Sequence, residues 1–80
     1  MGMSRPSLHD CVRTVVEEYL DDLHDEAPLA LHERVLAEAE RALLQTVMQR
    51  AEGRRVVAAA WLGINRNTLT KKLQRYGLDN

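Results

Sequence analysis

The sequence predicts an all-α protein of four helices, in which two long helices form a homodimeric four-helix core and two short ones form a C-terminal helix-turn-helix. Three observations lead there. Apolar residues make up 45% of the chain, yet there is no Phe and one Trp, so the core is left to Leu, Val, Ala, Ile and Met, a set that suits helices better than sheets. The apolar positions recur three and four residues apart, the helical period. Pro28, Gly53 and Gly63 break this pattern into four runs. At 80 residues the chain is one domain overall, and a lone copy would bury only a little over ~60% of its unfolded surface.

Ser7 is placed to cap the first helix, read from about residue 8 to 24, with Asp10 in its first turn. Leu8, Val12, Val15, Tyr19 and Leu23 form its stripe and Val16 and Leu20 widen it, while Glu17, Glu18, Asp21, Asp22 and Asp25 lie mostly elsewhere. Ala27-Pro28 ends it. The second helix is read from about 29 to 51, with Leu31, Val35, Ala39, Ala42, Leu43, Val47 and Arg50 on one side and Leu36, Leu44 and Met48 beside them. That arc is too broad for one neighbour, so a second copy is expected to cover residues 8 to 50. Gly53 closes this helix, residues 55 to 62 form a third, Gly63-Ile64 is a tight turn, and Asn65 caps a fourth from Arg66 to about Tyr76, stopped by Gly77. By role the chain divides into a flexible segment 1–7, dimerisation helices 8–51 and a helix-turn-helix unit 53–80. Met1-Gly2 reads as an addition ahead of a natural start at Met3.

A formal net charge of −1 conceals an asymmetry. Residues 1–45 carry 4 Lys/Arg against 10 Asp/Glu, whereas residues 46–80 carry 7 against 2. A local basic patch is what nucleic acid rewards. The single cysteine, Cys11, cannot pair within the chain, and no apolar run suggests a signal peptide or membrane span, so a reducing cytoplasm is expected. His9, His24 and His32 have no spacing that would hold a metal with Cys11. The acidic cluster around Glu17 to Glu26 lacks a calcium-loop pattern and reads as a solvated face. No nucleophile, base and orienting group come together, so neither an enzyme nor a cofactor is expected.

A helix-turn-helix needs a small residue where its helices touch, a turn residue tolerant of left-handed backbone four positions on, and an apolar anchor six beyond that. Ala59, Gly63 and Leu69 meet those intervals, with Ala58, Leu62, Ile64, Leu73 and Tyr76 as surrounding core. Trp61 is read as packing within this motif. The run from Ala58 through Trp61-Leu62-Gly63-Ile64-Asn65-Arg66-Asn67-Thr68-Leu69, then Lys71-Lys72-Leu73 and Tyr76-Gly77-Leu78, closely resembles the C-terminal helix-turn-helix of the Fis family. The likeness extends upstream through Val35-Leu36-Ala37-Glu38, Leu43-Leu44 and Val47-Met48-Gln49, covering roughly residues 8 to 78. Enhancer-binding activators carry a similar domain, but their ATPase domain does not fit in this chain. The resemblance implies a homodimeric nucleoid-associated protein that bends double-stranded DNA at loosely defined A/T-containing sites. It further implies regulation of transcription and recombination and a guanine contact near each site edge.

Arg66 stands at the tip of the recognition helix, where its guanidinium can bind guanine O6 and N7 together. Asn65 serves as cap, as base contact, or as both. Thr68, Lys71 and Arg75 are expected on phosphates, with Lys72 beside them. Two departures from the family pattern bear on this set. Gly53-Arg54-Arg55-Val56-Val57 stands where the family reads Gly-Asn-Gln-Ser or Thr-Arg, and Thr70 stands where it usually has Arg. Arg54 and Arg55 are therefore expected to anchor phosphates by charge, and Thr70 joins the phosphate set. The short segment ahead of Ser7 leaves no room for the β-hairpin arm of enteric Fis proteins, so activation of an invertase recombinase is not expected, nor is a membrane partner. The competing reading is a helical dimerisation or adaptor protein with weakened DNA binding.

Overall fold

The computed structural model describes residues 5–24 and 26–79 and holds four helices, α1 (Leu8–Leu23), α2 (Leu31–Arg50), α3 (Arg55–Leu62) and α4 (Arg66–Arg75), with no strand among the described residues. The reading of Met1-Gly2 and most of the segment 1–7 lies outside the described residues. Within that segment Ser7 is not loose: its hydroxyl accepts from the Asp10 amide at 3.0 Å and caps α1.

The chain forms two compact units, one up to Leu36 and one from Ala37 onward. In the first, α1 has no fully buried residue; Val12, Val16, Tyr19 and Leu23 are half-buried, while Leu8, Val15 and Leu20 are exposed. The Tyr19 hydroxyl accepts from Arg34 Nη1 at 3.2 Å, joining α1 to the first turn of α2. That helix begins at Leu31, two residues later than the expected Leu29, because Ala30 has a φ of 52° and cannot belong to a right-handed helix.

The second unit holds the buried core: Leu44 and Ala51 from the end of α2, Ala58 and Ala59 from α3, and Leu69 and Leu73 from α4. Val47, Met48, Val57, Leu62, Ile64, Tyr76 and Leu78 pack around it. Three helix ends frame this core with one device. After α2 the Gly53 amide reaches back to Met48 O and the Glu52 amide to Gln49 O; after α3, Ile64 reaches Ala59 O and Gly63 reaches Ala60 O; after α4, Leu78 reaches Leu73 O and Gly77 reaches Gln74 O. Each pair is the Schellman closure, which satisfies carbonyls the helix leaves open, and after α3 and α4 it also turns the next apolar residue inward. Ile64 and Leu78 are those residues. After α2 the left-handed position is filled by Glu52, with a φ of 56°, and Gly53 is left-handed as well. The expected single glycine stop is thus a two-residue one.

Candidate nucleic-acid interface

Arg66 opens α4 because Asn65 just before it keeps extended backbone and its Oδ1 accepts from the Asn67 amide at 2.7 Å. This is an N-cap. The side-chain oxygen of Asn65 is thereby engaged within the helix, and the amide nitrogen is the part left to meet a ligand. Arg66 is exposed and makes no hydrogen bond or ion pair with any described residue. Leu69 and Leu73 bury the inner face of α4 completely. At 100° per residue this turns Thr68, Lys71 and Arg75 to the opposite side, where all three are exposed. Lys71 has no carboxylate partner among the described residues, and the Arg75 guanidinium lies 5.7 Å from the centre of the Tyr76 ring.

The two flanks of α4 differ. On one, Lys72 Nζ is 2.9 Å from Glu40 Oε2, and the Tyr76 hydroxyl donates to Glu40 Oε1 at 2.6 Å. Lys72 is therefore committed to α2, and of the α4 cations expected on phosphates it is the one already neutralised. The Tyr76 hydrogen bond, and then Lys72, hold the Glu40 carboxyl below its ordinary range, and the same bond pushes the Tyr76 hydroxyl up. On the other flank, Thr70 Oγ1 accepts from Arg55 Nη1 at 3.2 Å, linking α4 to the first residue of α3.

The arginines at 54 and 55, similar in sequence, are placed differently. Arg54 Nε donates to Ala51 O at 3.4 Å and its Nη2 is 3.6 Å from Glu52 Oε1, so it serves the end of α2. Arg55 has no carboxylate partner among the described residues and reaches across the helix-turn-helix. Trp61 is a correction: it is 60% exposed and does not pack into the motif. The buried side of α3 runs through Ala58, Ala59 and Leu62, and Trp61 falls on its outer flank.

Short helices joined at Gly63, a capped basic helix and a core of this arrangement are the parts of a helix-turn-helix. The sequence profile of the family described as bacterial regulatory protein, Fis family, matches residues 35–76. The chain belongs to the Fis family. A protein of Ralstonia nicotianae named as Fis-like and DNA-binding is 47% identical over 76 residues, covering 95% of this chain and 99% of the relative. The DNA-binding protein Fis of Mannheimia haemolytica is 46% identical over 71 residues, covering 89% of this chain and 72% of its own. That of Vibrio cholerae is 42% identical over 77 residues, covering 96% and 79%. No described helix is long and apolar enough to cross a membrane.

Proposed function

We propose that this Fis-family protein is a homodimeric, nucleoid-associated regulator that binds and bends double-stranded DNA, reading the major groove with α4. The observation that carries this reading is the set of exposed cations on α4, Arg66 at its N-terminal tip and Lys71 and Arg75 on its outer side, none of them neutralised by a described carboxylate. The 10 residues of α4 span ~15 Å at ~1.5 Å per residue. That length can enter a groove ~12 Å wide tip first. Arg66 then meets base edges, where a bidentate contact to guanine discriminates by ~1–3 kcal/mol. Thr68, Lys71 and Arg75 follow along the backbone, and Arg55 adds a cation from α3. The dipole of α4 assists, since its positive end lies where the DNA would be.

Dimerisation is supported by the apolar side chains that one copy leaves in water, namely Leu8, Val15 and Leu20 of α1 and Leu36 and Leu43 of α2. A two-fold partner covering them would place two recognition helices on one duplex. Two helices set closer than one turn of straight DNA engage both half-sites only if the duplex bends.

A gel-shift titration of the protein against short A/T-rich duplexes at several salt concentrations tests the reading. With Arg55, Lys71 and Arg75 of each protomer on phosphates, affinity should fall by about a thousandfold between ~50 and ~200 mM salt. Absence of any shift at the lowest salt would instead favour a dimerisation or adaptor protein.

A further inference from the structure

The geometry points to Thr70 as a positioning residue that acts through Arg55: the hydroxyl holds the Arg55 guanidinium on the Arg66 side of α4, and Arg55, not Thr70, binds the DNA phosphate there. The inference rests on the DNA-binding reading and adds to it which residue anchors that flank.

Four observations converge on the pair. Arg55 Nη1 donates to Thr70 Oγ1 at 3.2 Å, and a guanidinium has five donor hydrogens, so one is used for aim and four remain. Thr70 lies four residues after Arg66, one turn along the same side of α4. A cation held against it therefore stands behind the expected base reader, where the backbone flanking the contacted base passes. Arg55 occupies the first residue of α3, whose first turn has no acidic residue and whose N-cap makes no side-chain hydrogen bond. A positive charge there opposes the helix dipole, and an anion bound to the guanidinium reverses that penalty. Arg54, one residue earlier, is drawn onto Ala51 O and Glu52, which separates the two arginines by role. A residue placed against local electrostatics and held in one direction by a neutral partner is what a ligand site needs.

Free arginine side chains spread over many rotamers, and fixing one before binding removes that entropy from the association step. Thr70 thus sharpens an interaction it does not itself make. Its effect must vanish when Arg55 is absent.

The test is a double-mutant cycle on the full chain, with the wild type, Arg55→Ala, Thr70→Val, the double variant and Thr70→Ser. Fluorescence anisotropy on one A/T-rich duplex at five salt concentrations supplies the readout. Thermal melts verify folding; Thr70→Val is nearly isosteric. Arg55→Ala is expected to lower the salt slope by about 2 per dimer, one phosphate contact for each protomer. Thr70→Val is expected to weaken binding by roughly three- to tenfold when Arg55 is present. In the Arg55→Ala background it should weaken binding by less than about twofold, and Thr70→Ser should bind as the wild type. Equal weakening by Thr70→Val in both backgrounds would overturn the inference, because Thr70 would then hold the phosphate itself. So would an unchanged salt slope in Arg55→Ala. A wild type that fails to bind the duplex at any salt would bring down the DNA-binding reading and this one with it; a wild type that binds with an additive cycle would bring down only this one.

Discussion

Glu40→Gln probes the clasp that ties α4 to α2. The Glu40 carboxylate takes the Tyr76 hydroxyl at 2.6 Å and the Lys72 ammonium at 2.9 Å. Hydrogen bonds involving a charged group contribute ~1.5–3 kcal/mol net where solvent is excluded. Here the Lys72 and Glu40 side chains are 31% and 30% exposed, and screening brings such a pair down towards ~1 kcal/mol. Gln keeps the shape and an acceptor for Tyr76, so the expected loss is about 1 kcal/mol, or about 4–8 °C in Tm for a chain of this size at fixed protein concentration. The pH dependence carries a sign. Because Glu40 is held below its ordinary value of 4.5 by Tyr76 and then Lys72, its stabilisation is complete above that value and lost as pH falls through the lowered folded one. Urea unfolding of both proteins from neutral pH to below 4 should show the difference shrinking as the acid limb is entered. A difference that stays constant over that range, or none at neutral pH, would refute the reasoning. The variant also frees Lys72, so its DNA affinity should be no weaker than that of the wild type while its stability falls.

Two further substitutions test other links. Gly63→Ala places a Cβ in open space but at a φ of +74°, so urea denaturation should show a loss of ~1–2 kcal/mol from backbone conformation alone. A loss under about 0.3 kcal/mol would mean that the turn relaxes. Leu43→Glu puts a charge on a residue that is 52% exposed in one copy; if a second copy covers it, sedimentation velocity should show the dimer dissociating at concentrations where the wild type stays assembled.

The helix-turn-helix was legible because its boundaries are written in local chemistry. Gly63 supplies the left-handed turn, Asn65 the cap, and the positions of Leu69 and Leu73 fix which side of the last helix is buried. The start of α2 was less so: Ala30 is not a residue that announces a positive φ, and only the structure shows the helix waiting for Leu31. The roles of the polar side chains were least legible, because their partners are distant in sequence. Glu40 meets Lys72 and Tyr76 more than thirty residues on, and the signal that could have found it is the spacing of Lys72 and Tyr76 on the flank beside Leu69 and Leu73. Arg54 and Arg55 look equivalent as adjacent charges, yet helix start geometry sends one back to α2 and the other across to Thr70. Trp61 reads as packing because it sits in the short helix of an apolar motif, whereas the stripe of Ala58, Ala59 and Leu62 already occupies the inner side of so short a helix.

The central claim is that α4 reads the major groove with Arg66 at its tip. Its most direct test compares binding of the wild type and Arg66→Ala to a preferred duplex and to the same duplex with 7-deazaguanine at the site edges, which lacks the N7 acceptor. The wild type should lose roughly five- to a hundredfold on the modified duplex, and Arg66→Ala should bind both equally. A wild type indifferent to the modification, or an Arg66→Ala variant that still discriminates, would contradict the account.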